Sequence, residues 1–231
     1  VITKIYNAEA LDYDEMSNEY KEYAKKIAKY VDNTEKIINT ALKANKNVLF
    51  EGAQGSMLDL DFGTYPYVTS SHPTVGGFVV GSGVGFGAIN EVIGITKAYT
   101  TRVGKGPFVT ELQDATGDEI REKGHEYGTT TGRARRCGWL DLVVLKYSAM
   151  INGFTAISLM LLDVLSDFDT LKVCIGYEID GKITTDFPAY QGDLDKAKPV
   201  YKEMAGFMGD ITEVKTFEAL PENAKVYIKM I

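Results

Sequence analysis

The chain has 231 residues, 45% hydrophobic and 25% charged, enough to bury a core as one large domain or two small ones. Its net charge of -7 argues against a broad basic surface for nucleic acid, and no apolar run approaches the roughly 18 residues a membrane span needs. Its two cysteines, Cys137 and Cys174, lack zinc-ligand spacing and read as reduced intracellular thiols.

The sequence opens Val1-Ile2-Thr3-Lys4, without an initiator methionine or a signal peptide. Over residues 14–31, Met16, Tyr20, Tyr23, Ile27, Tyr30 and Val31 share one helical face, and the three tyrosines are expected in a core. Thr34 is the expected N-cap of a second helix carrying Ile37, Ile38, Ala41 and Leu42. N-V-L-F-E-G, residues 47–52, reads as a short buried strand running into a glycine loop. Gln54 then stands at that strand's carboxyl end, and an amide offers donor and acceptor side by side to a purine edge.

Thr69, Ser70 and Ser71 add hydroxyls suited to phosphate, whereas Asp59 and Asp61 in D-L-D read as turn caps rather than acid–base or metal groups. His72 and His125 lie far apart and read as loop residues. After the apolar F-V-V, G-S-G-V-G-F-G-A (81–88) contains Gly83-x-Gly85-x-x-Ala88, a version of the dinucleotide fingerprint. No acidic residue ends a second strand about twenty residues on, so a packed glycine loop is the simpler reading and a Rossmann-type oxidoreductase an alternative.

E-Y-G-T-T-T-G-R-A-R-R-C-G-W-L-D, residues 126–141, concentrates threonines, glycines and arginines in an acidic chain. In an extended loop Arg133 and Arg135 project from the same face, Gly128 and Gly132 permit close approach, and forked charged donors suit a carboxylate or phosphate. The plainer alternative is a solvated turn whose arginines pair with surface carboxylates. Residues 140–152 read as a helix with Leu140, Val144, Tyr147 and Ile151 inward and Gly153 as its stop.

A-I-S-L-M-L-L-D, residues 156–163, is nearly all apolar, as in a parallel strand covered on both faces, and ends on Asp163, where open α/β sheets place ligand contacts. That carboxylate could grip a guanine edge or cap a helix. In residues 171–187, Val173, Ile175, Tyr177 and Ile179 alternate around an Asp180-Gly181 hairpin turn. Ala224, Tyr227, Ile228 and Ile231 recur at helical spacing to the last residue. The element order predicts an α/β fold, a mostly parallel sheet flanked by helices with an antiparallel hairpin appendage, in one domain over 1–231. Both ends look cut, so a longer protein is expected.

Several long motifs, F-E-G-A-Q-G, L-D-x-D-F-G-T-Y-P-Y-V-T-S-S, A-Y-T-T-R-V-G-x-G-P-F-x-T-E-L and G-x-E-Y-G-T-T-T-G-R-x-R-R-C-G-W-L-D, together with the strand ending L-D-V-L, resemble adenylosuccinate synthetase over essentially the whole chain. The resemblance implies an incomplete P-loop-NTPase-like synthetase core. It also implies a ligase that joins L-aspartate to IMP with GTP as co-substrate and Mg2+ as cofactor, in a cytoplasmic homodimer. GTP phosphorylates O6 of IMP, and the aspartate amine displaces that phosphate.

By resemblance, Gln54 is a catalytic and IMP-binding residue, with Thr69, Val103 and Arg133 also at IMP. Thr129, Thr130, Thr131, Gly132, Arg133 and Arg135 surround aspartate, and Arg135, Leu161, Leu162 and Asp163 meet GTP. The family's phosphate loop, its catalytic aspartate and histidine and the Mg2+ ligands match nothing in these residues. The chain alone is therefore expected to be inactive. Leu161 stands where the family usually has lysine and offers packing without an ammonium, and Phe86 replaces a family proline. A non-catalytic purine-nucleotide-binding relative is the corresponding alternative.

Overall fold

In the computed structural model, which describes residues 1–129 and 132–231, the chain divides into two compact units. One comprises Val1–Leu49 with Ser82–Val84, and the other Phe50–Gly81 with Gly85–Ile231.

The first unit contains α1 (Ile2–Ile5), α2 (Tyr13–Ile27), a 3-10 turn (Ala28–Tyr30) and α3 (Thr34–Lys43). Asp12 caps α2 by accepting the Glu15 N–H at 2.8 Å, and acidic residues in the first turn with lysines in the last complement the helix dipole. The cap of α3 is Asn33, one residue before the expected Thr34. Its side chain accepts the Lys36 N–H at 2.8 Å, and Thr34 becomes the first helical residue. The expected core tyrosines are exposed, Tyr20 by 65%, Tyr23 by 46% and Tyr30 by 75%. Periodicity records an apolar face but not whether anything covers it. Tyr20 and Tyr23 pack edge to face instead, with ring centroids 5.7 Å apart.

Residues 47–52 form no strand. Among the described residues nothing supplies a ladder partner there, and Leu49 is exposed.

The second unit begins with the loop that carries Gln54 and continues into α4 (Val75–Ser82). The segment F-V-V is thus helical, so the Gly83–Ala88 fingerprint follows a helix rather than the strand a dinucleotide site requires. Next come β1 (Ile93–Lys97), β2 (Thr100–Arg102), α5 (Ala115–Lys123), β3 (Arg136–Gly138), β4 (Leu140–Asp141), α6 (Leu142–Asn152) and β5 (Ala156–Met160). The chain closes with β6 (Thr170–Ile179), β7 (Lys182–Thr184), α7 (Gln191–Leu194), β8 (Lys198–Ala205) and α8 (Glu222–Met230).

Strands β1 and β5 pair in parallel, from Ile93 opposite Ala156 to Lys97 opposite Met160. This is the expected parallel strand, but it is not covered on both faces, since Ile95 and Met160 are exposed. Strands β2 and β3 pair antiparallel, and β6 pairs in parallel with β4 and antiparallel with both β7 and β8. The α/β class holds, with mixed sheets. The hairpin turns through Asp180 and Gly181, both at positive φ (48° and 77°), as a type I′ turn requires.

A bulge between Cys174 and Gly176 interrupts the expected alternation. Val173 and Cys174 are both buried, and Ile175 is turned outward. The helix read over 140–152 gives its first two residues to β4. Asp141 then caps α6, accepting the Val143 and Val144 N–H groups at 3.0 and 3.2 Å, and Gly153 stops it in the left-handed conformation. Its buried face is Val143, Ser148 and Asn152, whereas Val144, Tyr147 and Ile151 are only half-buried. The main core packs Tyr99, Trp139, Leu165, Leu171, Val173 and Tyr227, and the Tyr227 hydroxyl donates to the Ala98 carbonyl at 2.6 Å.

Candidate functional site

The basic loop is the tip of a short hairpin. The Arg135 N–H donates to the Glu126 carbonyl at 2.9 Å, Tyr127 bridges Ala134, and the Gly128 N–H donates to the Arg133 carbonyl at 2.9 Å. At the tip the Gly132 N–H closes back on the Gly128 carbonyl at 2.7 Å with φ 63°, a conformation that glycine adopts without strain. Thr129, Gly132 and Arg133 are exposed there. Thr130 and Thr131 lie outside the described residues.

The base of this hairpin is charged and closed. Glu126 is 1% exposed and accepts hydrogen bonds from Lys97 Nζ at 2.5 Å, Tyr99 Oη at 2.6 Å and Arg135 Nη1 at 2.6 Å. Burial pushes the Glu126 carboxyl upward, but the three donors and the lysine charge outweigh it and hold the group below its ordinary range. Burial, and then Glu126 itself, push the Tyr99 phenol far up, so it stays a donor. Arg135 therefore pairs with a buried carboxylate, not with a surface one.

Arg102 and Arg136 build the adjoining frame. Arg102 Nη2 donates to Thr64 Oγ1 at 2.9 Å and to the Tyr67 carbonyl at 3.0 Å, while its Nε and Nη1 reach the Lys105 and Pro107 carbonyls. Arg136 makes a two-pronged pair with Glu111 (2.7 and 2.5 Å) and donates to the Gly104 and Gly106 carbonyls. Arg136 and then burial shape Glu111, whose carboxyl lies below its ordinary range. The loop bearing Val103 is thus gripped from both sides.

Thr69 and Gln54 attach to the same frame. The Thr69 N–H donates to the Leu58 carbonyl at 2.8 Å, two residues beyond the Tyr67 carbonyl that Arg102 holds. Gln54 is exposed at φ 64°, unusual for a residue other than glycine, and precedes the 3-10 turn Ser56–Leu58. Asn152 steadies that turn, donating to Ser56 Oγ at 3.0 Å and accepting the Val75 N–H at 2.8 Å. Asp59, fully buried, holds the following turn through Thr74, the Asp61 and Phe62 N–H groups and His72. Its structural role stands.

Leu161, Leu162 and Asp163 follow directly on β5. Its last residue, Met160, is the ladder partner of Lys97, and the Ala98 N–H donates to the Met160 carbonyl at 2.8 Å. Leu161 stands at φ 58° and packs with Leu162 against the main core, while Asp163 is exposed at the start of a 3-10 turn. So Lys97 connects the strand leading to Leu161–Asp163 with the carboxylate that holds Arg135.

Lys97, Tyr99, Glu126, Arg102 and Arg136 were not among the residues singled out in the sequence. The available signal was a lysine and a glutamate flanked by aromatic and small residues. Among the described residues, no three His, Cys, Asp or Glu side chains gather in a way that fits a metal ion.

A family model described as adenylosuccinate synthetase matches residues 1–231. The chain is 59% identical over 231 residues to adenylosuccinate synthetase of Alkaliphilus metalliredigens and 58% identical over 232 residues to that of Clostridioides difficile, covering all of this chain and 54% of each relative. It spans about half the length of the curated relatives it matches. A solved structure of fully ligated adenylosuccinate synthetase from Plasmodium falciparum superposes with a TM-score of 0.92 at 43% identity, over 99% of this chain and 55% of that one.

Proposed function

Because this chain belongs to the adenylosuccinate synthetase family, we propose that it carries much of the IMP and aspartate sites, and part of the GTP site, of a cytoplasmic homodimeric ligase that converts IMP, L-aspartate and GTP to adenylosuccinate, GDP and phosphate. One observation carries this reading: the hairpin on which Thr129, Gly132 and Arg133 are exposed has its base locked by Arg135 pairing with the buried Glu126 carboxylate. A loop presented in this way offers hydroxyls, backbone N–H groups and guanidinium forks to an anion at little further ordering cost.

In this reading Gln54 presents its amide to the hypoxanthine edge, next to O6, where phosphorylation turns an oxygen into a leaving group. Thr69 holds the IMP phosphate and Val103 lies under the ribose. Thr129, Thr130, Thr131 and Gly132 receive the aspartate carboxylates. Arg133 reaches aspartate and IMP, and Arg135 stands between aspartate and GTP. Asp163 accepts from the guanine edge beside Leu161 and Leu162. Mg2+ accompanies the GTP phosphates in the family, and among the described residues no three His, Cys, Asp or Glu side chains gather to hold it. The 231 residues by themselves are proposed to lack ligase activity.

The test is calorimetric titration of this chain with IMP, repeated with Arg133→Ala. The expected result is saturable binding that weakens about tenfold in the variant, as loss of a charged hydrogen bond to a phosphate or carboxylate should. Equal affinity in the two proteins would remove Arg133 from the IMP site.

A further inference from the structure

Building on the ligand assignments proposed above, we infer that Glu126 is the positioning residue for Arg135: fixed by Lys97 and Tyr99, it presents the arginine to the aspartate and GTP side of the loop. Its two other partners do not depend on the hairpin. Lys97 ends β1 and is in register with Met160, and Tyr99 is 2% exposed within the main core. The carboxylate therefore has a defined place whether or not Arg135 is present.

Arg135 commits one N–H, on Nη1, to that carboxylate. Its Nε is buried without a hydrogen-bond partner among the described residues, yet the side chain remains 31% exposed. A guanidinium has five N–H donors in a rigid fork, so holding one end fixes the direction of the rest. An unanchored arginine would have to surrender its side-chain entropy when it binds. Glu126 removes part of that freedom before the ligand arrives.

Charge supports the same conclusion. Lys97 and Arg135 together carry two positive charges against one carboxylate, so the cluster keeps a net positive charge, and both cations stay partly exposed. A buried ion pair is weak evidence for stability, because desolvation offsets much of the attraction. A buried carboxylate shared by two cations at the root of a ligand loop is better explained by placement.

The experiment uses the enzyme of full family length carrying this sequence. Glu126→Gln, which keeps shape and an acceptor but not the charge, is compared in the parent and on an Arg135→Ala background, with KM read separately for aspartate, GTP and IMP. In the parent it should raise KM for aspartate about tenfold and leave KM for IMP within about twofold, and on Arg135→Ala it should add less than about twofold. The same factor on both backgrounds, or a fall in kcat with every KM unchanged, would make Glu126 a strut and overturn the inference. If Glu126→Gln does not fold, the Lys97→Met/Glu126→Gln pair, which removes the stranded cation, is read in the same way. Failure of both to fold assigns the cluster to the fold and also overturns it. Absence of ligation by the unmodified enzyme sinks the proposed function and this inference together, whereas ligation with additive losses sinks this inference alone.

Discussion

Arg102 and Arg136 stand directly opposite each other across the β2–β3 ladder, and the two like charges are kept apart by what each grips. Arg136 is neutralised by Glu111, while the hydrogen bonds of Arg102 among the described residues go to carbonyls and the Thr64 hydroxyl. Burial and then the facing Arg136 lower the Arg102 pKa, although the group stays cationic. Like charges in direct register destabilise a sheet. That cost is offset here because each arginine ties a separate stretch of loop to the strands.

Arg102→Ala should therefore destabilise the chain despite relieving the repulsion. Four acceptors lose a donor, at Thr64, Tyr67, Lys105 and Pro107. The expected loss is about 2 kcal/mol by urea unfolding, typical of removing a charged hydrogen-bonding group from a partly buried network. A change below about 0.5 kcal/mol would show that the loops keep their positions without it.

Leu161, set by the motif resemblance where the family usually has lysine, stands at a left-handed φ of 58° with its side chain packed on the core. The packing matters because a bulky residue holds that backbone only against a cost of about 1–2 kcal/mol. Leu161→Lys keeps a carbon stem that can follow the same path, but it must carry an ammonium out to water. It should cost about 1 kcal/mol of stability and, in the full-length enzyme, change KM for GTP by less than about threefold. A fall in that KM of tenfold or more would instead mean that the leucine weakens guanine binding, and would favour an impaired or non-catalytic relative.

Where a feature is set by neighbouring residues, the sequence showed it. Asp180-Gly181 announced its hairpin, D-L-D its capped turn, Gly153 its helix stop, and Ala224 with Tyr227 the buried face of α8. Features that depend on a distant partner were not legible. F-V-V forms a helix, 47–52 finds no strand to pair with, and the tyrosine face of α2 is bare, all matters of what lies beside a segment. The site divides in the same way. Motifs put Gln54, Thr69 and the arginines forward as candidates, but the anchoring of Arg135 depends on Lys97 meeting Glu126 across 29 residues, which no local pattern encodes. The bulge at Cys174–Gly176 belongs to this second group, since it inverts the outward positions of a strand whose alternation looked regular.

Asp59 offers a test of one such locally readable feature against pH. Burial pushes its carboxyl upward, but the Thr74 hydroxyl, the Asp61 and Phe62 N–H groups and His72 together hold it down to about 2, from an ordinary 3.8. A carboxyl depressed in the folded state contributes stability above its unfolded pKa and loses it as pH falls through the folded one. The window is therefore about pH 4 to 2, and the full contribution near neutrality is about 2 kcal/mol. Asp59→Asn keeps the shape but cannot titrate. In urea unfolding, the advantage of the parent over Asp59→Asn should shrink by about 1 kcal/mol between neutral pH and about pH 3. Because both proteins share Glu111 and Glu126, whose carboxyls are also depressed, their common acid sensitivity cancels in that difference. An advantage that stays constant across the two pH values would mean that the turn draws nothing from the charge on Asp59, and that its hydrogen-bond geometry alone holds the segment leading from Gln54 to Thr69.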